Sequence, residues 1–483
     1  MRTRSEARAS LIAAAIAGAV SLLAACTLGP NYARPGVEAP AAYKEAQGWK
    51  PAQPRENEPR GPWWSVFGDP QLDALVREVE VSNQTIKAAE ARVREARALT
   101  QQAQAAFFPI VTANAGATRS GGRGSAGQSV DNSQGGGPRN NFNVALDVNW
   151  EIDLWGRVRR TVEAGEATAQ ASVADLEAAK LSAQAQLAQD YFLLRAQDAQ
   201  IRLLNDTVDA YQKSLKLTQN QYAVGVAARA DVAQAETQLK STQAQALDAG
   251  VQRAQLEHAI AVLLGKAPAD FSIAPEAVAT TFPPIPPGLP SELLERRPDI
   301  AAAERRTAAA NAQVGVAEAA FFPSLTLSAT GGFQSSVLSQ LFSLPSRYWS
   351  LGPALAQTLF DAGLRRAQTA QAMATYDENV ANYRQTVLAG FQEVEDNLAA
   401  LHHLADEVAA DEAASKSAES AAHHSDKRYD AGVADYVEVT TTHTAALQEE
   451  RDTISARVSQ LNAAVALVRA TGGGWTAEQV GKL

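Results

Sequence analysis

One stretch of the chain alternates strictly between two kinds of residue. From Phe142 to Leu154 every second residue is apolar, and the residues between them are polar or acidic apart from Ala145. Period-two alternation indicates a strand with one apolar and one polar face. These thirteen residues exceed the usual strand of about five or six and match the roughly 9–11 tilted residues of a membrane-crossing strand. The pattern therefore favours a strand with lipid on one side and water on the other.

Three further strands are predicted from similar patterns. A segment at about 109–119 is the expected antiparallel partner of the 142–154 strand, and two more strands are expected at about 323–333 and 348–360. Pro353 lies inside the last of these and removes a ladder hydrogen bond, which counts against a strand there unless a bulge accommodates it. The apolar residues that suggest these strands are Val111, Leu325, Leu327, Ala329, Trp349, Leu351, Leu355 and Leu359.

Long helices are predicted between and after the strands. No proline occurs from Arg139 to Ala267 or from Ala354 onward, and Ala, Gln, Glu and Arg dominate these stretches. Helices are therefore predicted at about 156–223, 229–264, 363–430 and 436–470. A helix of 68 residues would be ~100 Å long, which is more than a globular domain of this mass holds.

The chain contains an internal repeat. The triplet Phe107-Phe108-Pro109 recurs 214 residues later as Phe321-Phe322-Pro323. Three later landmarks recur at an offset of 207, namely Gly156 with Gly363, Tyr222-Ala-Val-Gly225-Val with Tyr429-Asp-Ala-Gly432-Val, and Gly265 with Gly472. The seven extra residues of the first copy are assigned to Gly121–Asn141, a stretch rich in Gly, Ser and Asn that is expected to be an outward-facing loop tolerant of insertion.

The repeat defines the predicted domains. They are a signal peptide at 1–25, an extended N-terminal segment at 26–62, a first repeat at 63–267, a proline-rich linker at 268–290, a second repeat at 291–474 and a C-terminal tail at 475–483. Each repeat would supply two strands. Membrane barrels start at about eight strands, and a strand edge cannot be left unpaired in lipid. The four strands of one chain must therefore be shared in a barrel of eight strands from two chains or twelve from three.

The N-terminus resembles a bacterial lipoprotein signal. Arginines at positions 2, 4 and 8 precede a short apolar stretch that ends in Leu23-Ala-Ala-Cys26, which is similar to a lipobox. Cys26, the only cysteine, is therefore the expected site of lipidation, and the first 25 residues are expected to be removed. Thr27 follows, where an aspartate would commonly retain a lipoprotein at the inner membrane. The expected location is the outer membrane, lipid-anchored and extending into the periplasm.

Charge and composition argue against several classes of function. The net charge is −10, and loss of three arginines and one glutamate with the signal lowers it to −12, which disfavours nucleic-acid binding. No catalytic motif or phosphate loop is present, so no enzyme activity and no cofactor are expected. The pairs His402-His403 and His423-His424 lie 21 residues apart, about 31 Å along a helix, and cannot share one metal ion within a chain. No metal site is therefore assigned, although a symmetric ring of three histidines remains an alternative to solvated residues.

Two tight turns carry the candidate functional residues. Gly225 and Gly432 each lie where two long helices reverse direction, and glycine tolerates the positive φ that such a turn needs. Asp231 and Glu438 follow six residues later. As helix-start carboxylates they could simply interact with the helix dipole. The alternative, a pair of carboxylate rings that favour cations in an assembly of three chains, is implied only by the family resemblance given next.

Several motifs together resemble the outer membrane efflux protein family, which is TolC-like, and more closely its lipoprotein branch serving resistance–nodulation–division drug pumps. They span most of the chain after Cys26. The motifs are Cys26-Thr-Leu-Gly-Pro-Asn-Tyr32, Trp63-Trp64-Ser-Val-Phe67-Gly-Asp69-Pro70, Trp150-Glu-Ile-Asp-Leu-Trp-Gly156-Arg157, Leu294-Glu-Arg-Arg-Pro298-Asp-Ile, Asn311-Ala-Gln-Val-Gly-Val-Ala and Phe360-Asp-Ala-Gly363.

The resemblance implies a mainly α-helical homotrimer with a shared twelve-stranded barrel and a periplasmic helical tunnel. It implies docking on a periplasmic membrane-fusion adaptor and an inner-membrane pump that supplies the energy. The turns would form the tip of the tunnel, with Asp231, Glu438 and Tyr429 at the gate. The residues implied in adaptor contact are Val224, Gly225, Val226, Ala431, Gly432 and Val433. Some members brace the closed tip through an arginine where this chain has Ala434, so that form of closure is not expected here.

The expected function is passive export of drugs and other small toxic molecules. A duct for secreted peptides or heavy-metal ions is an alternative within transport, although a single methionine, Met373, follows the signal and offers no thioether ladder for copper. A structural envelope lipoprotein without a pore is an alternative from another class. The repeated two-faced strands count against it, because a tether does not need them.

Overall fold

A computed structural model describes residues 27–46, 62–121, 138–276 and 296–473. The chain divides into two compact units, and each contains segments from both repeats. Unit 1 includes residues 94–169 and 304–381 together with the described residues up to Pro35. Unit 2 includes the remaining described residues. Cys26, the signal peptide and the centre of the Gly121–Asn141 loop lie outside the described residues.

Unit 1 contains a four-stranded antiparallel sheet. The strands are β1 (Ile110–Ser120), β2 (Arg139–Ile152), β3 (Ser324–Ser335) and β4 (Arg347–Ala356), in the order β1-β2-β3-β4. The predicted pairing of the first two strands is confirmed, with Val111 opposite Val148. The two repeats are joined by antiparallel pairing of β2 with β3, which places Asp147 opposite Thr330.

The sheet has the two faces that the alternation predicts. Residues at every second position share one face and are almost all apolar: Val111, Ala113, Ala115 and Ala117 of β1, Phe142, Val144, Leu146, Val148, Trp150 and Ile152 of β2, Leu325, Leu327, Ala329 and Phe333 of β3, and Trp349, Leu351 and Leu355 of β4. The opposite face carries mainly amide, hydroxyl and small side chains. Many of the apolar residues are exposed in the single chain, including Val111, Trp349 and Leu351. Apolar residues exposed in this way need either an apolar partner or an apolar solvent.

Several strand ends differ from the prediction. β2 begins at Arg139, so residues 139–141, which were assigned to the loop, belong to the strand. β4 ends at Ala356, so Leu359 lies outside the sheet; Ala356 pairs with Ser324, the first residue of β3, and Pro323 precedes it. Residues 357–360 of the predicted strand therefore have no partner strand in the described part of the chain. β2 ends at Ile152, and Asp153 instead caps the following helix by accepting the backbone N–H groups of residues 158 and 159 at 3.0 and 2.9 Å.

Pro353 is accommodated without a bulge. It lies opposite Leu327 in an uninterrupted register that runs from Ser324 to Phe333. Within the single chain β4 is an edge strand, a position in which proline is tolerated. If β4 pairs with a second chain, the ladder lacks one hydrogen bond at Pro353, because proline has no backbone N–H.

The helices reproduce the repeat almost residue for residue. Their bounds are α1 (Pro70–Ser82), α2 (Gln84–Ala105), α3 (Arg157–Ala223), α4 (Arg229–Leu263), α5 (Pro298–Ala319), α6 (Leu364–Asp430) and α7 (Tyr436–Ala470). α3 and α6 each contain 67 residues, and α4 and α7 each contain 35. Within the described ranges, no helix combines the length and the apolar content that a membrane-crossing helix requires.

Unit 2 contains the main hydrophobic core. Its aromatic residues are Tyr43, Trp63, Trp64, Phe67, Tyr191, Phe192, Tyr383 and Phe391. Asp69 caps α1 by accepting the backbone N–H groups of residues 71 and 72, and also accepts the Tyr191 hydroxyl at 2.6 Å. The motif that runs from Trp63 to Pro70 therefore builds the core and starts a helix, which gives it a structural role.

Candidate functional site

The two helix-reversing turns have the same backbone geometry. Gly225 and Gly432 adopt φ values of +79° and +72°, in the left-handed region that favours glycine. In each turn the glycine N–H and the N–H of the following valine return to carbonyls of the preceding helix at 2.9–3.0 Å. This pattern is a Schellman motif, which satisfies carbonyls at a helix C-terminus. The turn chemistry predicted from the repeated glycines is therefore present in both copies.

The two candidate carboxylates make different bonds. Asp231 reaches back to the N–H of Ala228 at 2.8 Å, where the cap position has no polar side chain of its own. In the second turn Asp435 is the capping residue, accepting the N–H of Glu438 at 2.9 Å. The Glu438 side chain is left to pair with Arg428 at 2.6 Å. Asp231 thus acts at a helix start, whereas Glu438 forms an ion pair within its own hairpin.

Tyr429 connects the two hairpins. Its hydroxyl donates to Gln221 at the end of α3, 2.7 Å away, and its ring lies edge-on to Tyr436 with centroids 5.6 Å apart. Tyr436 in turn bonds to Ser214 of α3 at 3.1 Å. Burial raises the pKa of the Tyr436 phenol, so the hydroxyl stays protonated at physiological pH. The sequence placed Tyr429 at the tip; the structure shows that it joins the hairpins of the two repeats.

The turns themselves expose apolar side chains. Val224 and Val226 are 75% and 76% exposed, and Val433 is 67% exposed. Together with Gly225, Ala431 and Gly432, these residues form two small apolar loops that no side chain of the described residues covers. Exposed apolar residues grouped in this way are typical of contact sites for another protein.

A second polar assembly, in unit 1, holds the segment that follows Cys26. Arg160 of α3 donates to the carbonyls of Leu28 and Gly29 at 3.1 Å, to the Asn31 side chain at 3.0 Å and to Glu163 at 2.8 Å. Its own side chain is only 4% exposed. We call these contacts, together with those described next, the N-terminal clasp.

The rest of the clasp comes from α5. Asn311 donates to the carbonyl of Pro30 at 2.9 Å, and Gly29 packs so closely on Gly315 that a Cβ at Gly29 would lie 2.4 Å from the Gly315 Cα. The N–H of Leu28 donates to the Trp155 carbonyl at 3.2 Å. Three of the motifs that suggested the family therefore meet in one place.

Several residues that the structure shows to be central had no role assigned to them from the sequence. Arg160 was missed because two of its four acceptors are backbone carbonyls, which leave no pattern in the sequence. Asn311 and Gly315 were noted only as part of a motif. Arg428 lies ten residues before Glu438, on the opposite side of a tight turn. Their opposite charges and this spacing could have been used to predict the ion pair from the sequence.

The structure adds no functional role for the histidine pairs. The rings of His402 and His403 lie 5.5 Å apart, and those of His423 and His424 lie 6.2 Å apart. Across the described ranges, no three His, Cys, Asp or Glu side chains are grouped so that they could hold a metal ion.

Comparison with protein families identifies the chain. The model of the outer membrane efflux protein family matches residues 75–266 and 289–473. The chain belongs to this family. The two matched segments also correspond to the two repeats, each ending shortly after the last long helix of its copy.

Curated relatives of the efflux family agree with this assignment. The toluene efflux pump outer membrane protein TtgC of Pseudomonas putida is 31% identical over 464 residues, covering 95% of both chains. The pyoverdine export outer membrane protein OpmQ of Pseudomonas aeruginosa is 30% identical over 463 residues, covering 95% of this chain and 96% of the relative. The solved structure of the outer-membrane channel OprN superposes with a TM-score of 0.86 at 32% identity and covers 93% of this chain and all of that one.

These comparisons confirm the main predictions made from the sequence. The family, the mainly helical fold with four antiparallel strands, the outer-membrane location and the function as an outer-membrane efflux component are confirmed.

Proposed function

We propose that the protein is a homotrimeric channel in which three copies of the four-stranded sheet close one twelve-stranded barrel. The observation that supports the proposal is the two-faced sheet with an unpaired strand at each edge. β1 and β4 are those edges, and they run in opposite directions. β4 of one copy can therefore continue the antiparallel ladder with β1 of the next. The strands have 11, 14, 12 and 10 residues, which is sufficient for tilted strands that cross a bilayer.

The oligomer is tested by mass. Protein extracted in detergent is expected to have the mass of three chains plus bound detergent, because a shared sheet removes edges that lipid cannot satisfy. A stable monomer with an intact sheet would contradict the proposal. Insertion into planar bilayers is expected to give ion conductance, and its absence in correctly assembled trimers would favour the structural lipoprotein.

The proposed cargo is drugs and other small toxic molecules. TtgC is named for toluene and OpmQ for pyoverdine, and both are almost equally similar to this chain. Similarity to these two relatives therefore supports a small molecule as the cargo but does not identify it. We propose passive passage, with no catalytic step, driven by an inner-membrane resistance–nodulation–division pump through a periplasmic membrane-fusion adaptor. Heavy-metal ions as cargo would appear as altered sensitivity to metals, but not to drugs, in a deletion strain. Secreted peptides as cargo would appear as a peptide missing from the culture medium of that strain.

We propose that the exposed turns are the adaptor contact. Val224, Val226 and Val433 present apolar surface on loops whose backbone is fixed by Schellman motifs. A rigid backbone lowers the entropy lost on binding. Cross-linking from these turns to the purified adaptor is the direct test, and cross-links only from distant helix positions would refute it.

We propose that Asp231, Glu438 and Tyr429 lie at the narrow tip of the duct. The bonds within the chain refine this role: Asp231 has no basic partner among the described residues, whereas Glu438 is paired with Arg428. Replacing Asp231 with Asn and Glu438 with Gln removes charge at nearly constant size. We expect the double variant to show a lower cation preference than the unmodified protein, and Arg428→Gln to show a higher one. Unchanged selectivity in both variants would leave these residues with helix-start roles only.

Lipidation of Cys26 is also a proposal. The support is the lipobox in the sequence and the clasp that holds the residues immediately after it. Because Leu28 and Gly29 are fixed to α3, an acyl group two residues upstream would be held close to the start of that helix. Acyl labelling that persists after Cys26→Ala would refute the assignment.

A further inference from the structure

We infer that Asp147, at the middle of β2, provides a fixed negative charge inside the duct that biases it toward cations independently of the tip. The inference rests on the proposed channel, in which the polar face of the sheet lines the water-filled interior. It names a selectivity residue in a part of the molecule remote in sequence from the helix-reversing turns.

The first observation is the setting of this carboxylate. On the polar face its row runs Thr112, Asp147, Thr330 and Ser350 across all four strands. The neighbours along β2 on the same face are Ala145 and Asn149. The surroundings of Asp147 are therefore neutral, and its charge is not cancelled locally.

The second observation is a contrast with the acidic residues near the end of β2. Glu151 pairs with Arg157 at 2.6 Å, and Asp153 pairs with Arg159 at 3.2 Å. Within the described ranges, no lysine, arginine or histidine pairs with Asp147. Arg139 lies on the same face but eight residues along the strand, about 27 Å away.

The third observation is how firmly the carboxylate is oriented. Asn114 of β1 donates to one oxygen at 2.5 Å, and Thr330 of β3 donates to the other at 2.6 Å. These donors come from the strands on both sides. Two donors hold the group as a carboxylate and fix its position, because hydrogen bonds to the charged form stabilise it. The two oxygens of the Asp147 carboxylate keep further lone pairs that can accept hydrogen bonds from water in the duct.

In a trimer the three Asp147 carboxylates would lie at the same height on the inner wall of the barrel. The residues that surround each of them on that wall are neutral. A ring of fixed negative charge raises the local concentration of cations and lowers that of anions. Screening limits its reach to about 30 Å at 0.01 M salt and about 3 Å at 1 M. The bias should therefore be strong in dilute salt and nearly vanish in concentrated salt.

The test is reversal potential in planar bilayers under a potassium chloride gradient. Asp147→Asn is expected to lower the cation-to-anion permeability ratio by about twofold or more in dilute salt, with little change near 1 M. Asp147→Glu should keep the ratio. Thr330→Val removes a donor and keeps the charge, so it should keep the ratio as well. The same comparison in the Asp231→Asn, Glu438→Gln background separates this ring from the tip.

A second experiment restores the negative charge by chemical modification of a single variant that is already folded. Cys26 is the only cysteine of the chain and is expected to be acylated, so Asp147→Cys supplies a single reactive thiol. A negatively charged thiosulfonate reagent should recover cation preference, whereas a neutral reagent of the same size should not. This version also applies if Asp147→Asn assembles poorly.

The outcomes are distinct. Equal permeability ratios in the unmodified protein, Asp147→Asn and the two reagent states would overturn the inference while leaving the channel intact. A matching loss in Thr330→Val would also overturn it, because it would show that the carboxylate acts by joining strands. Assembled trimers that never conduct would refute the proposed channel, and the inference with it.

Discussion

Replacing Arg160 with Gln should release the segment behind the lipid anchor while leaving the rest of the protein folded. The guanidinium makes three hydrogen bonds to residues 28–31, each 3.0 or 3.1 Å long. Glutamine is shorter and can replace at most part of this set. The carbonyls of Leu28 and Gly29 would then lose a charged donor in a place where the arginine itself is almost fully buried.

The magnitude follows from these bonds. A hydrogen bond to a charged group contributes about 1.5–3 kcal/mol, and two such bonds lost at the lower value amount to about 3 kcal/mol. At about 1.4 kcal/mol for each factor of ten, local opening should become roughly a hundredfold more frequent. The bonds from Asn311 to Pro30 and from Tyr32 to Glu304 remain, so release is local.

Amide hydrogen exchange measures this opening directly. The Leu28 N–H is bonded to the Trp155 carbonyl, so its exchange reports whether the segment is docked. We expect exchange at Leu28 to accelerate about a hundredfold in Arg160→Gln, with the midpoint of thermal unfolding nearly unchanged. The measurement uses the full-length trimer in detergent.

Two further variants complete this experiment. Arg157→Gln, three residues earlier, breaks a half-exposed pair with Glu151 and should leave Leu28 exchange unchanged. Gly29→Ala should release the segment with Arg160 intact, because its Cβ would collide with the Gly315 backbone and its φ is +89°. Acceleration of less than about threefold in Arg160→Gln would refute this account of the clasp.

Three other predictions concern separate regions. Cys26→Ala should abolish acyl labelling and processing by the lipoprotein route, measured by metabolic labelling with a palmitate analogue. Gly225→Val and Gly432→Val should each strain a turn held at positive φ by about 1–2 kcal/mol, weakening adaptor binding without changing the ion selectivity of the isolated channel. Arg428→Gln should cost less than about 1 kcal/mol in thermal stability, because its pair with Glu438 is exposed.

Much of the fold could be predicted from the sequence because its signals are local and repeated. The alternation in β2 depends only on which face each side chain takes, and that is a property of any strand. The helix-reversing turns were found because a Schellman motif requires positive φ, and glycine at the same place in both repeats marks it. The four long helices follow from the absence of proline over more than a hundred residues.

The features that could not be predicted depend on contacts between segments that lie far apart in the sequence. The end of β4 is set by where β3 begins, since Ala356 has Ser324 opposite it and later residues have nothing. The pairing of β2 with β3 across the repeats leaves no trace in either segment alone. Arg160 donates to the carbonyls of Leu28 and Gly29, and because every residue has a carbonyl, nothing in the sequence distinguishes these two acceptors. Such contacts become visible only after the chain has folded.

The two turns show how identical backbones can carry different charge. At the first turn the cap position is Ala228, which has no polar side chain, so Asp231 supplies the bond to the backbone. At the second turn Asp435 performs the capping, and Glu438 is free to pair with Arg428. The residue equivalent to Arg428 in the first repeat is the neutral Gln221, which instead receives the Tyr429 hydroxyl and joins the hairpins. Of the two candidate gate carboxylates, that of Asp231 therefore has no basic partner among the described residues, whereas that of Glu438 is compensated by Arg428. Because capping leaves the charge of Asp231 in place, the role of this residue in the helix and its proposed role at a gate do not compete.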